Sequence, residues 1–274
     1  MALLPKARQI YICSMKPFLF LVVFVSLLML SGFVRMMFPA DVNSLIYGLL
    51  GCGSAYLTVF LFLRIEGKSW SALGFAWDRL TLWRFLLGIV IGLLLMGAIV
   101  FPLVLLTALE IRFQPDNFEV KTLLAILPIL PLALMEEIGF RSYPQVVLND
   151  KYGIWVSQFL MATVFALYHI LNGWSLTLSF AGPFVWAFAF GLSAIWSGGI
   201  SMPTGIHFSL NLAQSLFGLK AVGIAIWKLE YPLGTPISIT SQTDAVALYL
   251  HGIALVFFLV LTYLYYKSLK KAAQ

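Results

Sequence analysis

Long apolar runs alternate along the chain with short breaks of charge, proline and glycine. The runs fall at 17–38, 43–64, 82–109, 122–147, 152–171, 174–197, 199–219 and 244–267. About 20 apolar residues in helical conformation cross the hydrocarbon core of a bilayer. The pattern therefore predicts an all-α fold, a polytopic bundle of about eight transmembrane helices. The chain, 1–274, reads as a single transmembrane domain, with no internal repeat or low-complexity tract to divide it. The first run is long and no small-residue cleavage site follows it, so it is expected to remain as an anchor. The stretch from Lys220 to Thr243, with Pro232, Gly234 and Pro236, is expected as an external loop or a partly embedded flap. In the third run Gly88 and Gly92 form a G-x-x-x-G, a spacing that permits close helix packing and also arises by chance in a glycine-rich chain.

Composition sharpens this picture. Hydrophobic residues make up 61% and charged residues 10% of the chain, against about 25% charged in an average soluble domain. Mean hydropathy is +0.97. There are too few polar side chains to cover a water-facing surface, which excludes an ordinary soluble enzyme, a disordered chain and a disulfide-rich secreted domain. The net charge of +6 does not indicate nucleic-acid binding, because no Lys/Arg run exceeds the pair Lys270–Lys271. Lys and Arg in membrane proteins collect on the cytoplasmic side. With the N-terminus inside, Lys6, Arg8, Lys16, Arg64, Lys68, Arg79, Arg84, Lys151, Lys267, Lys270 and Lys271 are cytoplasmic. Arg35, Arg112, Lys121, Lys220 and Lys228 are outside, and Arg141 falls within a run. Eleven against five places both termini of this integral, multi-pass protein in the cytoplasm, with an even number of spans. Cys13 and Cys52 suggest neither a disulfide framework nor a metal knuckle; lipidation of Cys13 is a weak option.

The informative residues are the polar ones inside apolar runs. Glu136, Glu137 and Arg141 lie in the fourth run, His169 ends the fifth, and His207 and Asn211 lie in the seventh. A charge at mid-membrane costs about 2.5–3.5 kcal/mol on insertion scales, so these groups are expected to face one another or water. Glu137 and Arg141 are four apart and share a helix face, as an ion pair would. Glu136 sits about 100° around the helix and is expected to project into a cavity. His207 and Asn211, also four apart, can address one locus. His251, near the start of the last run, has no such company and is expected at the interface.

Such a set can carry out hydrolysis. A carboxylate and an imidazole can position a water and take its proton. A second histidine and an amide can donate hydrogen bonds to the oxyanion on a scissile carbonyl. Each residue alone also has a structural role to weigh: a packed histidine, an asparagine holding two helices together, a Glu–Arg pair that only stabilises. Glu136, His169 and His207 can also be read as ligands of a catalytic zinc, although the chain lacks H-E-x-x-H. A transporter with a proton-coupled carboxylate and a non-catalytic scaffold or immunity protein are further readings.

Glu136-Glu137-x-x-x-Arg141, Phe165-x-x-x-His169 and His207-x-x-x-Asn211 together resemble the three motifs of the CAAX-protease and bacteriocin-processing (CPBP) intramembrane proteases, also called type II CAAX prenyl endopeptidases. The motif-bearing core spans about 120–220. The resemblance implies an intramembrane glutamate-type endopeptidase with a bundle of about eight helices. It implies that Glu136 and His169 activate the water, that His207 and Asn211 form the oxyanion hole, and that Glu137 and Arg141 support the site. No cofactor is then expected, with zinc as the alternative. The partners implied are the lipid bilayer and a membrane-associated peptide or protein substrate. Whether that substrate is prenylated is not specified. Ser142 stands where many members have Gly or Ala.

One tension is visible in the run boundaries. At about 1.5 Å per residue, His169 lies about 27 Å from Lys151, whereas His207 lies about 10 Å from Ile200. Straight, full-length spans would hold the two histidines at different depths.

Overall fold

The computed structural model describes residues 6–75, 77–117, 120–220 and 225–272, with side chains from Met15 onward except at 120, 121 and 123. The side chains of Cys13 and Lys121 therefore lie outside the described residues. Among the described residues ten α-helices follow in order: α1 (Lys6–Arg35), α2 (Ala40–Glu66), α3 (Thr81–Leu106), α4 (Val120–Ile126), α5 (Ile129–Arg141), α6 (Tyr143–Leu171), α7 (Leu176–Ala181), α8 (Pro183–Ser197), α9 (Ser201–Leu216) and α10 (Ile237–Ala272). Two short strands, β1 (Glu110–Phe113) and β2 (Trp227–Glu230), pair antiparallel with Glu110 opposite Glu230. The fold is an all-α membrane bundle.

Among the described residues, six helical stretches are long and apolar enough to cross a bilayer: Met15–Arg35, Ala40–Glu66, Thr81–Leu106, Leu124–Leu171, Leu176–Ser197 and Ile237–Ala272. That is fewer than the eight expected, and the boundaries differ in kind. The 48-residue stretch Leu124–Leu171 would measure about 72 Å as one helix, over twice the hydrocarbon thickness of about 30 Å. It is broken at Ser142 (φ −84°, ψ −109°) and again at Gly153 (φ 79°, ψ 172°). The expected fourth span, 122–147, thus divides into α4, α5 and the first turn of α6. Pro144 explains the break at Ser142: it lacks the N–H that would continue α5, and it fits at the start of a helix. The expected seventh span shrinks to the 16 residues of α9. The last helix grows to 36 residues and takes up part of the anticipated flap.

Close contacts fix the helix directions. Lys16, in the first half of α1, pairs with Glu66 at the end of α2 at 2.8 Å, and Asn43 near the start of α2 donates to the Arg35 carbonyl at 3.0 Å. These two helices are antiparallel. α5 runs parallel to α2: Cys52 donates to the Pro131 carbonyl at 3.2 Å, and Tyr143, just past α5, donates to Glu66 at 2.7 Å. α3 runs parallel to α9, since Gly88 faces Met202 and Gly205 while Gly92 faces Ile206 and Ser209. The G-x-x-x-G spacing is therefore used. A Cβ on Gly92 would lie 2.6 Å from the Ile206 carbonyl oxygen.

The bundle has two distinct ends. Lys16, Glu66 and Lys68 meet at one, which we term the lysine end. The β1–β2 pair, Arg35 and the end of α6 mark the other, the hairpin end. α9 does not begin at the surface of the lysine end. Its first residues lie beside Gly88, about 10 Å along α3 from Thr81 at 1.5 Å per residue. This recess resolves the depth tension, because it brings His207 inward to meet His169.

Candidate active site

Two of the helices that carry the polar residues, α5 and α9, are short and largely enclosed. α5 is 13 residues long, with Ala133, Met135, Glu137, Ile138, Gly139, Phe140 and Arg141 all buried, and in α9 ten of 16 residues are buried. α5 leans on α2 through Gly51 and on α1 through Gly139, positions at which any Cβ would run into Met135 and Phe24 respectively.

His207 Nδ1 lies 2.7 Å from Glu137 Oε1, and its Nε2 lies 3.6 Å from Glu136 Oε2. A carboxylate accepts, so Nδ1–H donates, and Nε2 carries a proton only when the ring is the imidazolium. Phe190 stacks on the ring at 4.5 Å with 12° between planes. The spacing that linked Glu137 to Arg141 gave Glu137 only half of its partners; the hydrogen bond to His207, 70 residues on, was not visible in the sequence.

Arg141 faces Glu137 with Nε 3.5 Å from Oε2, and both side chains are fully buried. The guanidinium lies 4.3 Å from the ring centre of Phe165 and 5.3 Å from that of Phe190. Its three nitrogens have no hydrogen-bond acceptor among the described residues. The cation is held by the Glu137 charge and by aromatic faces, an attraction of about 2 kcal/mol or more per face when desolvated.

His169 is oriented differently. Its Nδ1 lies 2.8 Å from the Phe165 carbonyl oxygen. A carbonyl only accepts, so Nδ1 holds the proton and Nε2 of the neutral ring offers a lone pair. Phe165 meets the His169 ring edge-on at 4.6 Å and lies 6.2 Å from the His207 ring, so one side chain contacts both histidines. The Glu136 carboxylate is near enough for its charge to act on His169, Tyr168, Tyr47 and Lys220. Lys220, in the connection after α9, is half-buried. Burial pushes its ammonium down to about 8, against the opposing pull of Glu136.

Asn211 is half-buried one turn beyond His207, and its amide makes no hydrogen bond among the described residues. His251 lies away from this group: its Nδ1–H donates to the Ala247 carbonyl within α10, and its ring packs on Trp186 at 5.8 Å. Among the described residues no group of three or more His, Cys, Asp or Glu has the spacing of a metal site.

Residues 118–213 match the family model described as type II CAAX prenyl endopeptidase, Rce1-like. This segment, about a third of the chain, is similar to that family. All three polar motifs fall inside it, whereas α1, α2 and α3, which buttress the Rce1-like helices, lie outside. No curated protein matches the chain. The aromatic walls of the Rce1-like segment were only partly legible: Phe165 stood in a quoted motif, while Phe190 and Trp174, 5.1 Å from His169, carried no signal in the sequence.

Proposed function

We propose that the chain is an intramembrane endopeptidase that cleaves a peptide bond of a membrane-associated peptide or protein by a glutamate-type mechanism. The observation that carries this reading is the contrast between the two histidines. The Nδ1 of one faces a backbone carbonyl and that of the other faces a carboxylate. His169 is thereby oriented with Nε2 open to take a proton, and His207 is held by Glu137 in position to donate through Nε2 when that nitrogen is protonated.

In this mechanism a water lies between Glu136 and His169 Nε2. It gives up a proton as its oxygen attacks the carbonyl carbon of the scissile bond. The oxyanion accepts from His207 Nε2–H and the Asn211 amide. Collapse of the intermediate breaks the C–N bond, and the proton taken from water passes to the leaving amine. Glu137 orients the His207 ring, and Arg141 holds Glu137 in place. No metal or organic cofactor takes part. Both termini lie in the cytoplasm.

The test compares peptide processing in cells that carry the wild-type chain or Glu136→Gln at equal abundance. Loss of cleavage products in the variant alone supports the reading. Identical products sink it and leave a binding or immunity protein of the same fold. One zinc per purified chain, with activity following its occupancy, would replace water activation by Glu136 with a zinc mechanism using Glu136, His169 and His207.

A further inference from the structure

Val25, Leu28, Met29, Gly32 and Arg35 of α1 line one cavity of about 290 Å³. Spacings of three and four put them on a single helix face, so the cavity is a groove that follows α1. From Val25 to Arg35 it runs about 15 Å at 1.5 Å per residue. Val25 lies midway along the apolar stretch Met15–Arg35, and Arg35 ends it. The groove therefore covers one half of a hydrocarbon core of about 30 Å, from the bilayer centre to one interface. Tyr47 of α2, together with Leu171 and Asn172 at the end of α6, helps to form the other walls. Met29 and Leu171 on its rim are 56% and 66% exposed, so the groove is open along its side to the surrounding lipid. Among the described residues, Glu136, His169, His207 and Asn211 do not line it.

The chemistry changes along the groove. The half nearer the bilayer centre is aliphatic, and the end at the interface holds Arg35, Tyr47 and Asn172. The Arg35 guanidinium lies over the Tyr47 ring at 4.6 Å. Its Nε is buried and has no hydrogen-bond partner among the described residues. A buried charged donor left unpaired is costly, and an acceptor oxygen placed here removes that cost. Asn172 spends one amide N–H on the Tyr168 carbonyl at 2.8 Å and keeps a second to donate. The groove thus matches an amphiphile with an anionic oxygen at one end and a hydrocarbon chain at the other. A peptide laid in it would need partners for its own N–H and C=O groups, which Val25, Leu28, Met29 and Gly32 do not offer.

We infer that this groove binds one anionic phospholipid, with the phosphate on Arg35 and Asn172 and one acyl chain laid along Val25–Gly32. Basic pockets between transmembrane helices take such headgroups. The bound lipid joins α1 to α6 at the hairpin end, and the stability of the bundle then follows the anionic lipid content. The inference stands apart from the proteolytic reading.

The full chain, purified in a non-ionic detergent, is titrated with phosphatidylglycerol, with phosphatidylcholine and with inorganic phosphate. Melting temperature and the lipid retained in native mass spectrometry are measured. Phosphatidylglycerol is expected to raise the melting temperature to a plateau with one lipid retained per chain. Phosphatidylcholine should act weakly, and phosphate not at all. Arg35→Gln should weaken the binding of phosphatidylglycerol about tenfold or more and erase its advantage over phosphatidylcholine. Gly32→Leu leaves the charge in place and fills the groove beside Tyr47, whose ring lies 4.0 Å from the position of a Cβ; it should abolish retention of the lipid. Equal shifts with the two lipids overturn the inference, as does unchanged binding of phosphatidylglycerol in both variants. A full shift with phosphate alone also overturns it, in favour of a free-phosphate site.

Discussion

Glu137 holds His207 and Arg141 at once, with one carboxylate oxygen 2.7 Å from the imidazole Nδ1 and the other 3.5 Å from the guanidinium Nε. One buried carboxylate thus serves an imidazole and a guanidinium. Removing it strands both, and removing one partner leaves the other in place.

Glu137→Ala should therefore be the most damaging change in this group. Breaking a buried ion pair costs about 3–5 kcal/mol, and here the His207 hydrogen bond goes as well. Arg141→Ala should destabilise less, and Glu137→Ala with Arg141→Ala should be milder than the sum of the two. Thermal unfolding of the three variants in one detergent gives the coupling. Strict additivity would show that the residues do not act as a pair. Arg141→Lys should not restore stability, because an ammonium does not present a flat cation to Phe165 and Phe190.

Asn211 has a free amide one turn from His207. Loss of one oxyanion donor typically lowers turnover about 10²–10³-fold. Asn211→Ala should reduce kcat by about that factor with little change in KM, and its thermal stability should stay near wild type. A fall in stability with unchanged kcat would make Asn211 a packing residue.

The seam between α3 and α9 is closed by backbone contact, and Gly92 is its tightest point. Gly92→Ala pushes a methyl group against the Ser209 hydroxyl and the Ile206 carbonyl. Overpacking of this kind costs about 1–3 kcal/mol. Gly97, whose Cβ would meet nothing within 4 Å, is the control: Gly97→Ala should be neutral or slightly stabilising. Equal melting temperatures for the two variants would contradict the close approach of these helices.

Lys220 supplies a pH dependence with a definite sign. Its ammonium is pushed from 10.5 down to about 8 by burial, so the unfolded chain binds this proton more tightly than the folded one. Stability rises with pH wherever the unfolded state holds more protons. The contribution of Lys220 should be constant below about pH 8 and should rise from there toward 10.5. Lys220→Met should remove that rise from the melting profile and raise the melting temperature near pH 7.

The polar residues of the site were legible because each is expensive in a lipid-facing helix, and because a spacing of four residues reports a shared face. Helical spacing could not show which residue each group meets on another helix. It paired Glu137 with Arg141 and missed His207. It also missed the stacking of Phe190, an aromatic among 23 phenylalanines. The apolar runs marked α2, α3 and the end of α1 to within a few residues, while α1 begins eleven residues before its run. They failed at Ser142, where the hydrophobic pattern continues through a backbone break that Pro144 imposes. They failed at α9 because a helix supported by glycine contacts need not reach the membrane surface.

The shortness of α5 bears on how the protein is made. A 13-residue helix with Glu136, Glu137 and Arg141 has no favourable partition into lipid by itself, since each ionisable group opposes insertion. One of its partners, His207, is supplied by a helix 70 residues later in the chain. As the chain emerges from the ribosome, α1, α2 and α3 can settle in the bilayer unaided, but α5 cannot be committed until α9 has been synthesised. Biogenesis is therefore not a simple sequential threading of spans. Late installation of α5, once α9 has been made, is the order this pairing predicts.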